Sequence, residues 1–202
     1  MDIIKKLAQE LAIKEEQAKA AVQLIDEGNT IPFIARYRKE MTGALNDETL
    51  RNLHERLLYL RNLEEKKEQV INAITDQGKM TEDLKKKILS AETLVAVDDL
   101  YRPYRPKKQT RATKAKEKGL EPLANILLLQ KTTKSMEEEA AAFVNAEKGV
   151  ANAKEAIAGA KDIIAEMIAD MADYRKSIRN CTMKQGSLVV KAKDEKAESV
   201  YE

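Results

Sequence analysis

The residues best suited to binding chemistry form a basic cluster near the middle of the chain. Residues 101–118, which we call the basic segment, contain eight basic side chains and one acid, a local charge of +7 in a chain of formal net charge +2. Tyrosines alternate with arginines here, and an aromatic ring beside a guanidinium can stack on a base while the charge contacts a phosphate. The sequence therefore predicts nucleic-acid contacts from six residues: Arg102, Tyr104, Arg105, Lys107, Lys108 and Arg111.

The backbone of residues 101–111, the first part of the basic segment, is predicted to be an extended loop, because Pro103 and Pro106 exclude a helix there. An extended backbone would let successive side chains reach a polyanion. The alternative is that these bases pair with acids of the same protein, either with Asp98 just before the segment or with an acidic helix such as residues 137–139.

A second, smaller basic cluster lies in residues 31–40, IPFIARYRKE. Phe33 and Ile34 are predicted to dock this stretch onto a hydrophobic core. Docking would leave three basic side chains for surface contacts with nucleic acid or for helix capping: Arg36, Arg38 and Lys39.

The chain contains few residues that could act in catalysis or bind a metal ion. His54 is the only histidine and Cys181 the only cysteine, whereas a structural zinc site takes about four such ligands. Neither of the glycine-rich phosphate-binding motifs occurs. We interpret His54 as a histidine at the boundary of an apolar helix face, and Cys181 as a small buried hydrophobic residue. The sequence predicts no enzymatic activity, no metal site and no cofactor.

Composition predicts an all-α fold. Charged residues make up 35% of the chain and aromatic residues 4%, with no tryptophan, which suits long helices with solvated faces. A single cysteine forms no internal disulfide and fits a reducing cytosol. No apolar run approaches the ~20 residues that a membrane-spanning helix needs. We therefore expect a soluble, cytoplasmic protein without membrane contact.

Residues 1–45 are predicted to form a helix-turn-helix-like unit of three short helices. Apolar residues recur at helical spacing in the first two helices, Gly28 is a suitable stop, and Pro32 suits the first turn of the third. The dimensions are those of a helix-turn-helix unit, and generic three-helix packing is the alternative. Residues 46–202 follow as a helical scaffold region that carries the basic segment.

The scaffold region is predicted to contain two long helices. The first begins at an Asn46 cap and ends before Gly78, and its charged middle, residues 64–68, is expected to be solvated or to meet another polar helix. The second begins at an Asn152 cap and repeats apolar residues in steps of four and three: Ala153, Ile157, Ala160, Ile164, Met167, Met171, Tyr174, Ile178 and Cys181.

These two helices have matching lengths, so we expect them to lie antiparallel in one bundle, with a coiled coil between chains as the alternative. Residues 187–193 have the composition of a short strand, for which the sequence offers no partner strand.

The stretch IPFIARYRKEMTGALND, residues 31–47, resembles the signature of the Tex family, bacterial transcription accessory proteins with a eukaryotic elongation-factor counterpart. The resemblance runs the length of the chain, since further blocks follow in family order: LLYLRNLE at 57–64, DDLYRPY at 98–104, TRAT at 110–113, AKEKGLEPLA at 115–124 and FVNAEKGV at 143–150.

The resemblance implies that this chain is the N-terminal part of a longer protein. Ribonuclease-H-like, helix-hairpin-helix and OB-fold RNA-binding domains would follow, and the family's main nucleic-acid-binding activity is associated with the OB-fold. For the present residues the resemblance implies a helix-turn-helix-like start and long scaffold helices.

Two functions follow as hypotheses. In the first, the chain is a nucleic-acid-associated transcription accessory module whose basic clusters make non-specific phosphate contacts with RNA or DNA. In the second, it is a helical scaffold without nucleic-acid binding of its own, which binds protein partners, such as the transcription machinery, or the rest of its own chain through the methionine-rich end of the last helix.

Overall fold

The computed structural model describes residues 2–191, and these residues form an all-α structure, as the composition predicted. The chain divides into two compact units, Met1–Pro106 and Lys107–Glu202. The boundary predicted at residue 45 therefore lies inside the first unit. Within residues 2–191, none of the helices combines the length and the apolarity needed to cross a bilayer.

The first unit is built on one long helix, with shorter helices before and after it. Its helices are α1 (Ile3–Glu10), α2 (Glu15–Asp26), α3 (Ile31–Tyr37), α4 (Asp47–Asp76), α5 (Glu82–Ser90) and α6 (Leu94–Tyr101), followed by a 3-10 turn at Arg102–Tyr104. Asn46 caps α4 by accepting a hydrogen bond from the Thr49 backbone N–H at 2.7 Å. Gly28 and Gly78 adopt positive φ angles of 85° and 66°, which confirms both as helix stops.

The core of the first unit surrounds α4. Leucines recur every three or four residues along this helix, so they line one stripe. The other helices of the unit cover that stripe and leave its side chains at most 2% exposed: Leu50, Leu53, Leu57, Leu60, Leu63, Val70 and Ile74. The three N-terminal helices share this core with α4.

The charged middle of α4, residues 64–68, was expected to be solvated or to meet another polar helix. In the structure one of its residues is buried. Lys67 faces inward, and its side chain is 2% exposed. Its ammonium donates to Glu64 Oε1 at 2.8 Å and to the Leu89 carbonyl at 2.9 Å. Leu89 lies in the last turn of α5, where backbone carbonyls have no partner within the helix. Lys67 thus caps the C-terminal end of α5 from α4.

Burial raises the pKa of the Glu64 carboxyl, and the hydrogen bond from Lys67 lowers it. The net direction is a pKa below the ordinary value of a glutamate. Glu64 therefore stays ionised near neutral pH and balances the charge of Lys67.

Two arginines of α4 tie the first two helices to it. Arg56 donates to both carboxylate oxygens of Glu10, at 2.6 and 2.8 Å, and Arg61 donates to both oxygens of Asp26, each at 2.7 Å. These hydrogen bonds hold the pKa values of Glu10 and Asp26 below their ordinary values, against the opposing effect of burial.

Removing either arginine is expected to destabilise the first unit in a pH-dependent way. Arg56→Met and Arg61→Met should each lower the free energy of unfolding at neutral pH by roughly 0.5–1 kcal/mol, because the pairs are partly solvated. Since the carboxyl pKa values are depressed in the folded state, the pairs stabilise the fold above the ordinary carboxyl pKa. This contribution disappears as pH falls through the folded values.

Urea unfolding followed by circular dichroism, at neutral pH and near pH 3, measures this difference. Arg51→Met is the matched control, because Arg51 pairs with Asp47 within α4 and joins no second helix. A loss of stability that is the same at both pH values would contradict the assigned role of the two carboxylates.

The second unit is organised around a different helix. Its helices are α7 (Arg111–Glu117), α8 (Glu121–Leu129), α9 (Met136–Ala141), α10 (Ala153–Asp170) and α11 (Ala172–Gln185). The first three pack against α10, around Ala156, Ala160 and Ile163. Ser135 and Asn152 cap α9 and α10, as their sequences predicted.

The prediction of one long helix over residues 153–181 is wrong. Met171 adopts extended backbone angles, φ −70° and ψ 118°, and separates α10 from α11. The apolar repeat is buried only where α7, α8 and α9 cover it. Beyond that point the side chains of Met167, Met171, Tyr174 and Ile178 are 40–66% exposed, and Cys181 is exposed rather than buried.

The predicted pairing of two long helices in one core is also wrong, because α4 and α10 belong to separate hydrophobic cores. Residues 187–191, the described part of the predicted strand, have no regular secondary structure. The last two residues of that prediction, 192 and 193, lie outside the described residues.

Candidate nucleic-acid interface

The predicted extended loop is confirmed in part: residues 105–110 have no helical structure. Pro103 lies in the 3-10 turn, and a helix that the sequence analysis missed, α7, begins at Arg111. Thr110 caps α7, because its side-chain oxygen accepts a hydrogen bond of 3.1 Å from the Thr113 backbone N–H. The signal for this helix was present as a threonine cap, alanines three residues apart and Gly119 as a stop. The segment is divided between the two compact units after Pro106.

In the first unit, the predicted site residues are held close to the protein. Arg105 pairs with Asp98 at 3.1 Å, as the acidic pair predicted, and its guanidinium lies 5.6 Å from the ring centre of Tyr101. Tyr104 is half-buried against the core, and its carbonyl accepts a hydrogen bond from Gln77. The two tyrosines therefore offer less ring surface for stacking than an extended loop would. Arg102 is exposed.

In the second unit, an acidic row on α10 meets the start of the basic segment. The row consists of Asp162, Glu166 and Asp170, spaced four residues apart on one face. Lys107 pairs with Asp170 and lies 3.4 Å from Glu166, and Arg111 lies 3.6 Å from Asp162. These two bases thus pair with an acidic helix, as the alternative interpretation held, although the helix is α10 and not residues 137–139.

Lys108 differs from its neighbours in the basic segment. Its side chain is exposed and forms no ion pair with any residue of the range 2–191. The acidic row therefore compensates Lys107 and Arg111 but leaves the charge of Lys108 facing solvent.

The second basic cluster is docked as predicted. Ile34 is fully buried, and Phe33 is half-buried beneath the guanidinium of Arg38, 5.1 Å from its ring centre. Arg36 lies on the exposed side of α3, and Lys39 is exposed just after it. Neither of these two bases has an ion pair within the described chain.

A groove of about 260 Å³ lies in the second unit between α7 and α10. We call it the α7 groove. Its floor is apolar and includes the buried residues Ala115, Leu120 and Val150. Gly159 allows α10 to come this close, because a Cβ atom there would stand 2.4 Å from Leu120 Cδ1. No local pattern in the sequence signals this contact, because residues 120 and 159 are far apart in the chain.

The two sides of the α7 groove carry opposite charges. The α10 side contributes Glu155 and Asp162. The α7 side contributes three bases, of which the sequence analysis proposed only the first as a site residue: Arg111, Lys114 and Lys118. Once α7 is known to be a helix, the spacing of these bases places them on one face.

Comparison with known proteins gives matches along the chain. Residues 1–75 match the Tex-like protein N-terminal domain, and residues 131–201 match the Tex central region-like family. The chain is 47% identical over 183 residues to Protein YhgF of Escherichia coli and 42% identical over 180 residues to the Transcriptional accessory protein Tex of Neisseria gonorrhoeae, alignments that cover 91% and 89% of it. The chain belongs to the Tex family.

The S1 RNA-binding domain-containing protein 1 of Homo sapiens is a more distant relative of this Tex-family chain, 32% identical over 186 residues, or 91% of the chain. The alignments span 24%, 23% and 18% of the lengths of the three relatives. The second basic cluster lies within the Tex N-terminal domain match, and the basic segment lies between the two family matches.

Proposed function

We propose that this chain is a helical, non-catalytic module of a cytoplasmic transcription accessory protein and that it makes non-specific phosphate contacts with RNA or DNA. One observation carries the proposal. Four of the predicted bases are exposed and have no ion pair among the described residues, and the guanidinium of one of them, Arg38, lies over the Phe33 ring. The other three are free to meet a ligand: Arg36, Lys39 and Lys108. Such side chains gain binding free energy by releasing counterions from a phosphate backbone.

Two relatives support this assignment by their names. One is a transcriptional accessory protein, and another contains an S1 RNA-binding domain, which favours RNA as a ligand of the longer protein. Arg102, Tyr104, Arg105, Lys107, Arg111 and Arg38 remain candidates, but the contacts that several of them make within the protein reduce what they can offer to a ligand.

Fluorescence anisotropy of labelled single-stranded RNA and duplex DNA, titrated with this chain at two salt concentrations, tests the proposal. We expect salt-sensitive binding, with a log–log slope of roughly −0.7 to −0.9 per phosphate contact. The triple variant Arg36→Gln, Lys39→Gln, Lys108→Gln should bind more weakly and with a shallower slope.

The matched control removes the same charge from three exposed lysines elsewhere: Lys19, Lys85 and Lys86. If the two triple variants lose affinity equally, only the net charge matters and the assigned residues are wrong. Absence of binding by the unchanged chain at low salt would contradict the proposed function itself.

A second candidate function is a protein-binding scaffold. It is favoured by the exposed apolar side chains at the end of α10 and along α11, of which Ile178 is 66% exposed. Association through such a surface depends little on salt, unlike phosphate contact. A partner that binds equally well at low and moderate salt would therefore favour the scaffold.

A further inference from the structure

The α7 groove has a third lysine near its basic side, contributed by a distant part of the chain. Lys148 lies in the turn between Asn145 and Val150, which pair through two backbone hydrogen bonds. Its Nζ lies 3.7 Å from the position that a Cβ of Gly119 would take. The Lys118 ammonium in turn extends from α7 to this turn and donates a hydrogen bond of 2.7 Å to the Gly149 carbonyl. The two lysines thus lie together where α7 meets this turn.

Lys114 continues this basic edge one helical turn earlier on α7. Its side chain is exposed, and neither Lys114 nor Lys148 has an ion pair among residues 2–191. Lys114 and Lys118 line one side of the groove, and Lys148, which is not itself a lining residue, extends this basic row beside Gly119. A row of ammonium groups matches the successive phosphates of an extended strand better than it matches a single compact anion.

The acidic side of the groove is partly occupied by contacts within the protein. Glu155 accepts a hydrogen bond from the Ala151 backbone N–H at 2.9 Å, and Asp162 lies 3.6 Å from Arg111. The remaining lone pairs of these carboxylates can accept hydrogen bonds from the exocyclic amino groups of cytosine, adenine or guanine. Uracil has no exocyclic amino group.

The size and the floor of the groove restrict the ligand further. A volume of about 260 Å³ lies just below the range of ~300–1,000 Å³ that is usual for small-molecule pockets, so the groove suits one nucleotide unit at a time. The apolar floor at Leu120 and Val150 can cover a base or a ribose. Bases are accessible in this way in a single strand but not in a duplex.

We propose that single-stranded nucleic acid binds along the α7 groove, with its phosphates against Lys114, Lys118 and Lys148 and a base over the apolar floor. This inference rests on the proposed function and names a binding site for it. Asp162 and Glu155 favour a base with an exocyclic amino group, that is adenine, cytosine or guanine, over uracil.

The test uses the whole chain and a labelled oligoadenylate of about ten nucleotides, within the usual site size of single-strand binders. The variant Lys114→Gln, Lys148→Gln removes two charges and leaves Lys118, which bonds to the backbone, unchanged. Near 0.1 M salt it should bind roughly fivefold more weakly per lysine, and the salt slope should fall by about 1.4. Asp162→Asn replaces one acceptor oxygen with a donor, so it should reduce the preference of the groove for oligoadenylate over oligouridylate.

Lys131→Gln, Lys134→Gln is the matched control, since both lysines are exposed in the same unit and neither lines the groove. Circular dichroism verifies that all variants are folded. If the unchanged chain binds but both double variants weaken it equally, the groove is not the site and the proposed function stands. If the unchanged chain does not bind at all, both proposals fail.

Competition with three unlabelled polymers tests the ligand class. Unlabelled oligoadenylate should displace the labelled strand more effectively than oligouridylate, and equal displacement would overturn the role of the carboxylates. Polyglutamate of the same charge should displace it poorly. If polyglutamate competes as well as oligoadenylate, the groove binds an acidic polypeptide, and the nucleic-acid assignment is wrong.

Discussion

Replacing Lys67 with methionine is expected to destabilise the first unit by about 1–3 kcal/mol. Methionine preserves most of the apolar stem but removes the donors that satisfy the Leu89 carbonyl and Glu64. Lys67→Ala should cost more, about 3–5 kcal/mol, because it also leaves a cavity in the core. Urea unfolding gives the change in stability, and hydrogen exchange over residues 82–90 shows whether the end of α5 opens first.

Lys66→Met is the matched control, since Lys66 is the adjacent residue, is 30% exposed and lies 3.5 Å from Asp98. We expect this change to cost less than about 1 kcal/mol. If Lys67→Met unfolds at the same urea concentration as the unchanged protein, the cost of burying the ammonium equals the gain from its hydrogen bonds. The hydrogen bonds of Lys67 would then contribute no net stability to the first unit.

Placing a side chain at Gly159 is expected to destabilise the second unit. A Cβ there would stand 2.4 Å from Leu120 Cδ1 and 3.3 Å from Ala115 Cβ, and Leu120 is 1% exposed. Overpacking of this kind costs about 1–3 kcal/mol. Alanine regains about 1 kcal/mol of helix propensity, so Gly159→Ala should be mildly destabilising and Gly159→Val more so.

Thermal unfolding measures the effect, and hydrogen exchange should show faster opening over residues 153–170 but not in the first unit. Ala165→Val is the control, because Ala165 is exposed on the same helix. It measures the stability lost through the low helix propensity of valine alone. A Gly159→Val protein as stable as the Ala165→Val protein would show that Leu120 can move aside without cost.

Local signals predicted much of the fold. Asn46, Ser135 and Asn152 cap helices because a side-chain oxygen bonding to a backbone N–H two or three residues later depends on adjacent residues alone. The leucine stripe of α4 likewise follows from the spacing of leucines within one continuous stretch of sequence. These features needed no knowledge of what the helix would meet.

Features that depend on distant partners escaped prediction. Lys67 lies in a charged run that suggests solvent, and only the approach of the end of α5 gives its ammonium a partner. The apolar repeat after residue 153 predicts a continuous buried seam, but burial ends where the covering helices end. Periodicity describes a face of a helix and does not say whether another element covers it.

The candidate site likewise has features that depend on local sequence and others that depend on distant residues. The charge of the basic segment could be counted from the sequence, but its compensation could not. Lys107 and Arg111 are paired by acids 63 and 51 positions later in the chain, whereas Lys108 has no such partner. The lysines of the α7 groove come together because residues 148 and 119 meet in the folded unit.

The break at Met171 has a thermodynamic consequence for α11. This helix has 14 residues, none of them buried. Helix nucleation is costly, and a helix of about 12–15 residues without packing is marginal in water. We therefore expect α11 to exchange between helix and coil far more often than α10, with amide protection factors close to those of an isolated peptide. A ligand or protein that packs on it would supply the cooperativity that its own sequence lacks.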